Sequence, residues 1–221
     1  MSFDLVDIEA EPGARLELQR LGVPAVPAVV AAGGVVHGWN PRALAELVGV
    51  RYEGAQRLSP GELAKRLDQV LAAAGRVVSD VAPKHLALQH PGRDRSLHQL
   101  AYHLFRLSLA FRDAMVERRL PQAWLQEMAP PGLSDGPALA GYGAAVRTAL
   151  RGWLATENAV SGTVETYYGP QGAHELLERT VWHAVQHLRQ IHALLADAGA
   201  PPAEPLDPSL LERLPLPQSI W

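Results

Sequence analysis

Near one end of the chain runs Glu178-Arg-Thr-Val-Trp-His-Ala-Val-Gln-His-Leu-Arg-Gln-Ile191, in which His183 and His187 stand four residues apart. In a helix, positions i and i+4 lie on one face, one above the other. Two imidazoles so placed can hold one metal ion if a third ligand comes from elsewhere. His103 is the best candidate for it, though by spacing alone His98, His174 and His192 also stay open. Three neutral imidazoles leave a coordination position free, which marks a catalytic rather than a closed structural site. A divalent ion there lowers the pKa of a bound water or thiol. Imidazole suits zinc, nickel, iron and copper, so zinc is expected first, with nickel or iron as alternatives.

Around the pair, Gln190 sits close to one turn beyond His187, placed either to touch a ligand or to be a solvated helix residue. Glu178, Tyr167 and Tyr168 are weaker candidates, the tyrosines being better suited to packing. His85 and His90 read as solvated loop residues. On a helical wheel the apolar centre of this segment is Leu177, Ala184, Leu188, Ile191 and Leu195, and the two histidines run along its edge. Trp182 faces away from that centre, so it seats either the following tail or the N-terminal piece.

Four amphipathic helices must position these groups. The first opens at Ser59-Pro-Gly-Glu62, a capping-box signature, and its apolar period runs to about residue 79. The second opens at Ser96, with Gln99 completing another box, and runs to about 119; His103 lies at the flank of its apolar face. A long connection follows, whose Trp124, Leu125 and Met128 are expected to cover one end of a bundle. The third helix is expected over about 137–159. An aromatic turn at 164–170 leads into the fourth, about 171–198, which stops at Gly199 before two prolines. Residues 200–221 are proline-rich and read as an ordered strap, or as the contact of a homodimer. Such a set of helices makes a four-helix bundle at 59–199, with a crossover permitted by the long connection.

Ahead of it, residues 1–50 read as β-α-β-β-α: a strand at 3–8, a helix at 11–20, strands at 23–31 and 35–37 about a Gly33-Gly34 turn, and a helix capped by Asn40. About 50 residues make a small core. The overall class is therefore α+β.

The 221 residues are 48% hydrophobic and 19% charged, as in an ordinary globular protein. A net charge of −3 carries no basic excess, so no nucleic-acid partner is expected. Neither a membrane span nor a signal peptide is legible, and the expected location is cytoplasmic. With no cysteine among them and nine histidines, disulfides, zinc–thiolate sites and dithiol redox chemistry are excluded for this chain.

Two resemblances bear on function. Gly22-Val-Pro-Ala-Val-Pro27, then strand, Gly33-Gly34, strand and a helix opening at Gly38-Trp-Asn-Pro41, resembles the second half of a glutaredoxin or thioredoxin-like domain. That likeness implies that Pro27 is the family's thiol-facing cis-proline, while the half bearing Cys-x-x-Cys has no counterpart. Residues 59–199 resemble the DinB/YfiT-like superfamily of metal-binding four-helix bundles. The likeness rests on Trp182-His183-x-x-x-His187-x-x-Gln190-Ile191 and on Ser96-Leu-His-Gln-Leu-Ala-Tyr-His103-Leu. It implies His103, His183 and His187 as the ligands. Relatives often carry an adjacent His-His pair where this chain has Gln186-His187. The superfamily implies a metal-dependent enzyme joining a low-molecular-weight thiol, such as mycothiol, bacillithiol or glutathione, to an electrophilic substrate, or isomerising one. The alternatives are a hydrolase whose metal activates water, and a non-catalytic metal-binding or interaction module.

Overall fold

The structure, a computed structural model, describes residues 3–6, 8, 11–23, 27–51, 57–91 and 93–221. The chain is α+β and mostly helical, and it divides into two compact units. One comprises residues 1–56 with 167–169, the other 57–166 with 170–221.

The first unit holds α1 (Pro12–Arg20), β1 (Ala28–Ala31), β2 (Gly34–His37) and α2 (Pro41–Leu47). The strands pair antiparallel with Ala31 opposite Gly34, so the hairpin turn falls on Ala32-Gly33, one residue earlier than expected. Asn40 caps α2 as its sequence suggests, its side chain accepting from the Ala43 N–H at 3.1 Å. The strand expected at 3–8 is not formed in its described residues, and among the described residues β1 pairs with β2 alone in a two-stranded sheet. Phe3 and Leu5 are 83% and 90% exposed, so neither a ladder nor a core pins them. Residues 24–26 of the glutaredoxin-like stretch lie outside the described residues. Pro27 precedes β1, and its carbonyl accepts from the Gly38 N–H at 3.0 Å.

The second unit is organised by α3 (Pro60–Ser79), α4 (Leu97–Glu117), α5 (Gly136–Leu154) and α6 (Ala173–Asp197). Helix α3 packs on α5 and α6, and α4 packs on the same two, so helices adjacent in sequence, α3 and α4, stand diagonally. Successive helices are therefore not all nearest neighbours, an arrangement that the long connection between α4 and α5 allows. A true capping box opens α3: the Ser59 hydroxyl accepts from the Glu62 N–H while Glu62 accepts from the Ser59 N–H. At α4 only half of the expected box forms. Ser96 caps the Gln99 N–H, but the Gln99 amide oxygen accepts from the Ala129 N–H at 3.2 Å and so holds the long connection instead.

Close approach of α5 to its neighbours depends on two glycines. A Cβ at Gly143 would stand 2.5 Å from the Phe105 ring of α4, and one at Gly136 would run into the Val78 carbonyl of α3. Helix α5 ends at Leu154, five residues short of expectation: the Thr156 hydroxyl bonds back to the Trp153 carbonyl, and Asn158 turns left-handed at φ 59°. The expected aromatic turn is a hairpin of β4 (Thr163–Thr166) and β5 (Gly169–Gly172), extended by β3 (Arg119–Leu120) parallel to β4 into a three-stranded sheet. In the long connection Leu125 is buried as expected, but Met128 is 68% exposed. Arg106 of α4 pairs with Glu127 and Asp113 and lies under Trp124, which fixes that connection by polar contacts. Residues 200–221 are an ordered strap. Arg66 of α3 donates to the carbonyls of Leu210 and Glu212, and Leu210 is buried. Among the described residues no helix is long and apolar enough to cross a membrane.

Candidate metal centre

Helix α4 is buried on nearly every side, because it meets α5, α6 and the turn at Gln122–Leu125. His103 is therefore interior at 4% exposed, and not at the flank that a one-face reading of the helix suggests. Its partners come from α6, whose stripe Leu177, Ala184, Leu188, Ile191 and Leu195 is buried as expected. His187, on the edge of that stripe, is 7% exposed, and His183, one turn earlier, is half-buried. One ring nitrogen from each of the three lies within 4.8 Å of the others. The ring of His103 is 5.8 Å from that of His183 and 5.0 Å from that of His187, and the α6 pair are 4.6 Å apart.

One bond fixes the protonation pattern. His187 Nδ1 lies 2.7 Å from the Gln190 Oε1. A carbonyl oxygen only accepts, so Nδ1 carries the proton and Nε2 keeps its lone pair. That Nε2 is buried and has no hydrogen-bond partner. An orphaned acceptor inside a protein is costly unless something else satisfies it. Here it stands among two more imidazoles.

All three rings are held neutral. Burial lowers the His187 pKa to about 4, against the opposing Gln190 bond and with help from the positive charge of Arg95. Burial is also the first cause for His103 and His183, pushed well below the usual histidine range; His187, Arg95 and Arg179 add to it. Neutral imidazole is the metal-binding form, so no proton need be displaced near pH 7. The residues present fit a divalent ion.

None of the other histidines left open by spacing joins the cluster. His98 and His174 donate from Nε2 to the carbonyls of Leu133 and Leu58. His192 lines a separate cavity of about 350 Å³ with Asp68, Arg76 and Glu204. Glu178 is not in the cluster: both its oxygens accept from Arg57, at 3.2 and 2.9 Å, because its buried carboxylate needs a paired cation. Tyr168 groups with the first unit, edge-on to Tyr167, and Pro27 lies in that unit too. Of the two readings left open for Gln190, contact or solvated helix residue, the structure has contact, with His187.

No model of a known protein family matches the sequence, and no curated protein is significantly similar to it.

Sequence patterns missed some contacts. Trp182 does seat the strap, its indole N–H donating to the Pro215 carbonyl at 2.9 Å. The partner of His90, however, was not legible: it stacks on Trp221 with ring centroids 4.2 Å apart. Nor was the Ile220 carbonyl, which accepts from both Gln186 and Gln190. Backbone carbonyls leave no mark in a residue pattern.

Proposed function

We propose that the helical unit is a bundle of DinB type in which His103, His183 and His187 hold one divalent ion, zinc first and nickel or iron next. Its use is in thiol-dependent S-transfer or isomerisation. The observation that supports this most is the buried, unpartnered Nε2 of His187 standing among two other neutral imidazoles. An ion held by His103, His183 and His187 would supply Lewis acidity that lowers the pKa of a thiol bound to it.

The chain's own residues do the rest. His183 is the least buried of the three, so substrate approaches on its side. The thiol proton leaves to solvent, and as the sulfur bonds to an electrophilic carbon that carbon's bond to its leaving group breaks, the leaving group taking the electron pair and a proton from solvent. The positive charges of Arg95 and Arg179, which add to burial in holding His103 and His183 neutral, also favour a thiolate over a thiol. The first unit keeps the strand, turn, strand and helix order of a glutaredoxin's second half. It has no cysteine, so no dithiol chemistry is assigned to it.

Calorimetric titration of glutathione, bacillithiol and mycothiol into metal-free and zinc-loaded protein tests the reading. Binding of at least one thiol only to the loaded form is expected. Equal binding to both forms, or to neither, contradicts it.

A further inference from the structure

The segment 215–221 is tied along α6 by side chains of that helix. Trp182 donates to the Pro215 carbonyl at 2.9 Å, and Arg189 to the Pro217 carbonyl at 3.0 Å. Gln186 and Gln190 both donate to the Ile220 carbonyl, at 2.7 and 3.0 Å. Arg189 also donates to the Gln186 amide oxygen at 2.7 Å, which turns the Gln186 NH2 toward the strap. Beyond Ile220, Trp221 stacks on His90, in the loop that leads into α4. The strap thus touches the helix that carries His183 and His187 and the approach to the helix that carries His103.

The polarity of these bonds matters. A glutamine amide can present either its oxygen or its NH2 to a neighbour, and its partners decide which. The Ile220 carbonyl only accepts, so the Gln190 NH2 must face it and the Gln190 oxygen must face His187. With the oxygen there, the proton of His187 sits on Nδ1 and Nε2 is free. With the amide reversed, an N–H would face Nδ1, the proton would move to Nε2, and the nitrogen that meets the other histidines would be blocked.

We propose that residues 218–221 are a positioning element for the triad, and that the Ile220 carbonyl sets the tautomer of His187 through Gln190. The consequence for metal affinity rests on the metal reading above; the tautomer does not. Partners of this kind commonly change metal affinity by about 10- to 100-fold.

The test uses four proteins: the full chain, a chain terminated after Pro217, Gln190→Glu in the full chain, and Gln190→Glu in the shortened chain. A carboxylate has only acceptor oxygens, so glutamate needs no strap to present one to Nδ1–H. Long-range proton–nitrogen NMR of the metal-free proteins reads the His187 tautomer, and zinc affinity is measured against a competing chelator. Shortening is expected to abolish the pure Nδ1–H signature and weaken zinc binding by about 10- to 100-fold, with helical circular dichroism unchanged. Gln190→Glu is expected to restore both in the shortened chain. The proposal is overturned if the shortened chain keeps the Nδ1–H tautomer. It is equally overturned if the tautomer is lost but glutamate fails to restore it, since a merely structural strap gives that result. Because the tautomer is read without metal, a full chain that takes up no zinc sinks the metal reading alone, and the tautomer still decides the strap.

Discussion

The two compact units carry similar apolar residues and treat them in opposite ways. In the first, Val29, Val30, Leu16, Leu21 and Val50 are exposed, and among its described residues only Val23, Ala45 and Tyr168 are buried hydrophobics. In the second, Leu63, Val70, Leu97, Phe105, Leu176 and Leu188 are fully buried. A hairpin and two short helices cannot enclose much side-chain volume, whereas four helices of 19 to 25 residues can. The lesson concerns where precise chemistry can be built. Three imidazoles stay within reach of one another only if their helices are held by a packed core, and among the described residues only the second unit shows one.

The largest effect expected from this contrast is on stability. Phe105→Ala removes a fully buried ring in contact distance of Gly143 and should lower the unfolding free energy of the helical unit by about 3–5 kcal/mol in urea titrations. Val30→Ala, in exposed β1, should change stability by less than about 0.5 kcal/mol. Comparable losses from both would erase the distinction.

Acid gives the next effect. His187 is held at about 4 in the folded metal-free protein and titrates near 6.5 when unfolded. Between those values the unfolded chain binds the proton and the folded chain does not. Stability is therefore full above about pH 6.5 and declines as pH falls toward 4, by on the order of 3 kcal/mol for His187 alone. Denaturant unfolding at pH 7 and pH 5 should show the decline in the metal-free protein, and His187→Gln should make it shallower. A flat profile would mean that the triad is not buried as described.

Much of this was written in the sequence because it depends on local chemistry. Ser59-x-x-Glu62 and Asn40-Pro41 name helix starts whose hydrogen bonds lie within four residues. The stripe Leu177 to Leu195 names the buried face of α6, and it set His183 and His187 at the edge where they are found. His103 was legible as a candidate, but its depth was not, since α4 is wrapped from several directions and a one-face wheel cannot show that. The strand expected at 3–8 failed because β propensity does not supply a partner. Glu178 looked available until Arg57, 121 residues away in sequence, proved to hold it. The strap's hold on Gln190 was hidden for a similar reason: the group that matters is a main-chain oxygen 30 residues on.

The smallest expected effect sharpens the comparison through two like caps. Ser59→Ala removes the cap of a core helix and should cost about 1 kcal/mol of global stability. Asn40→Ala removes the same kind of cap from α2 and should speed amide exchange at Ala43 without moving the main unfolding transition. If Asn40→Ala shifts that transition as much as Ser59→Ala does, the two units unfold as one.

The central claim is that one ion is held by His103, His183 and His187 together. Elemental analysis of the full chain and of His103→Ala, each loaded with zinc and desalted, tests it most directly, with circular dichroism as the check on folding. About one equivalent of zinc in the parent and a near-complete loss in the folded variant are predicted. A folded His103→Ala protein that keeps its full equivalent, or a parent that keeps none, contradicts the account.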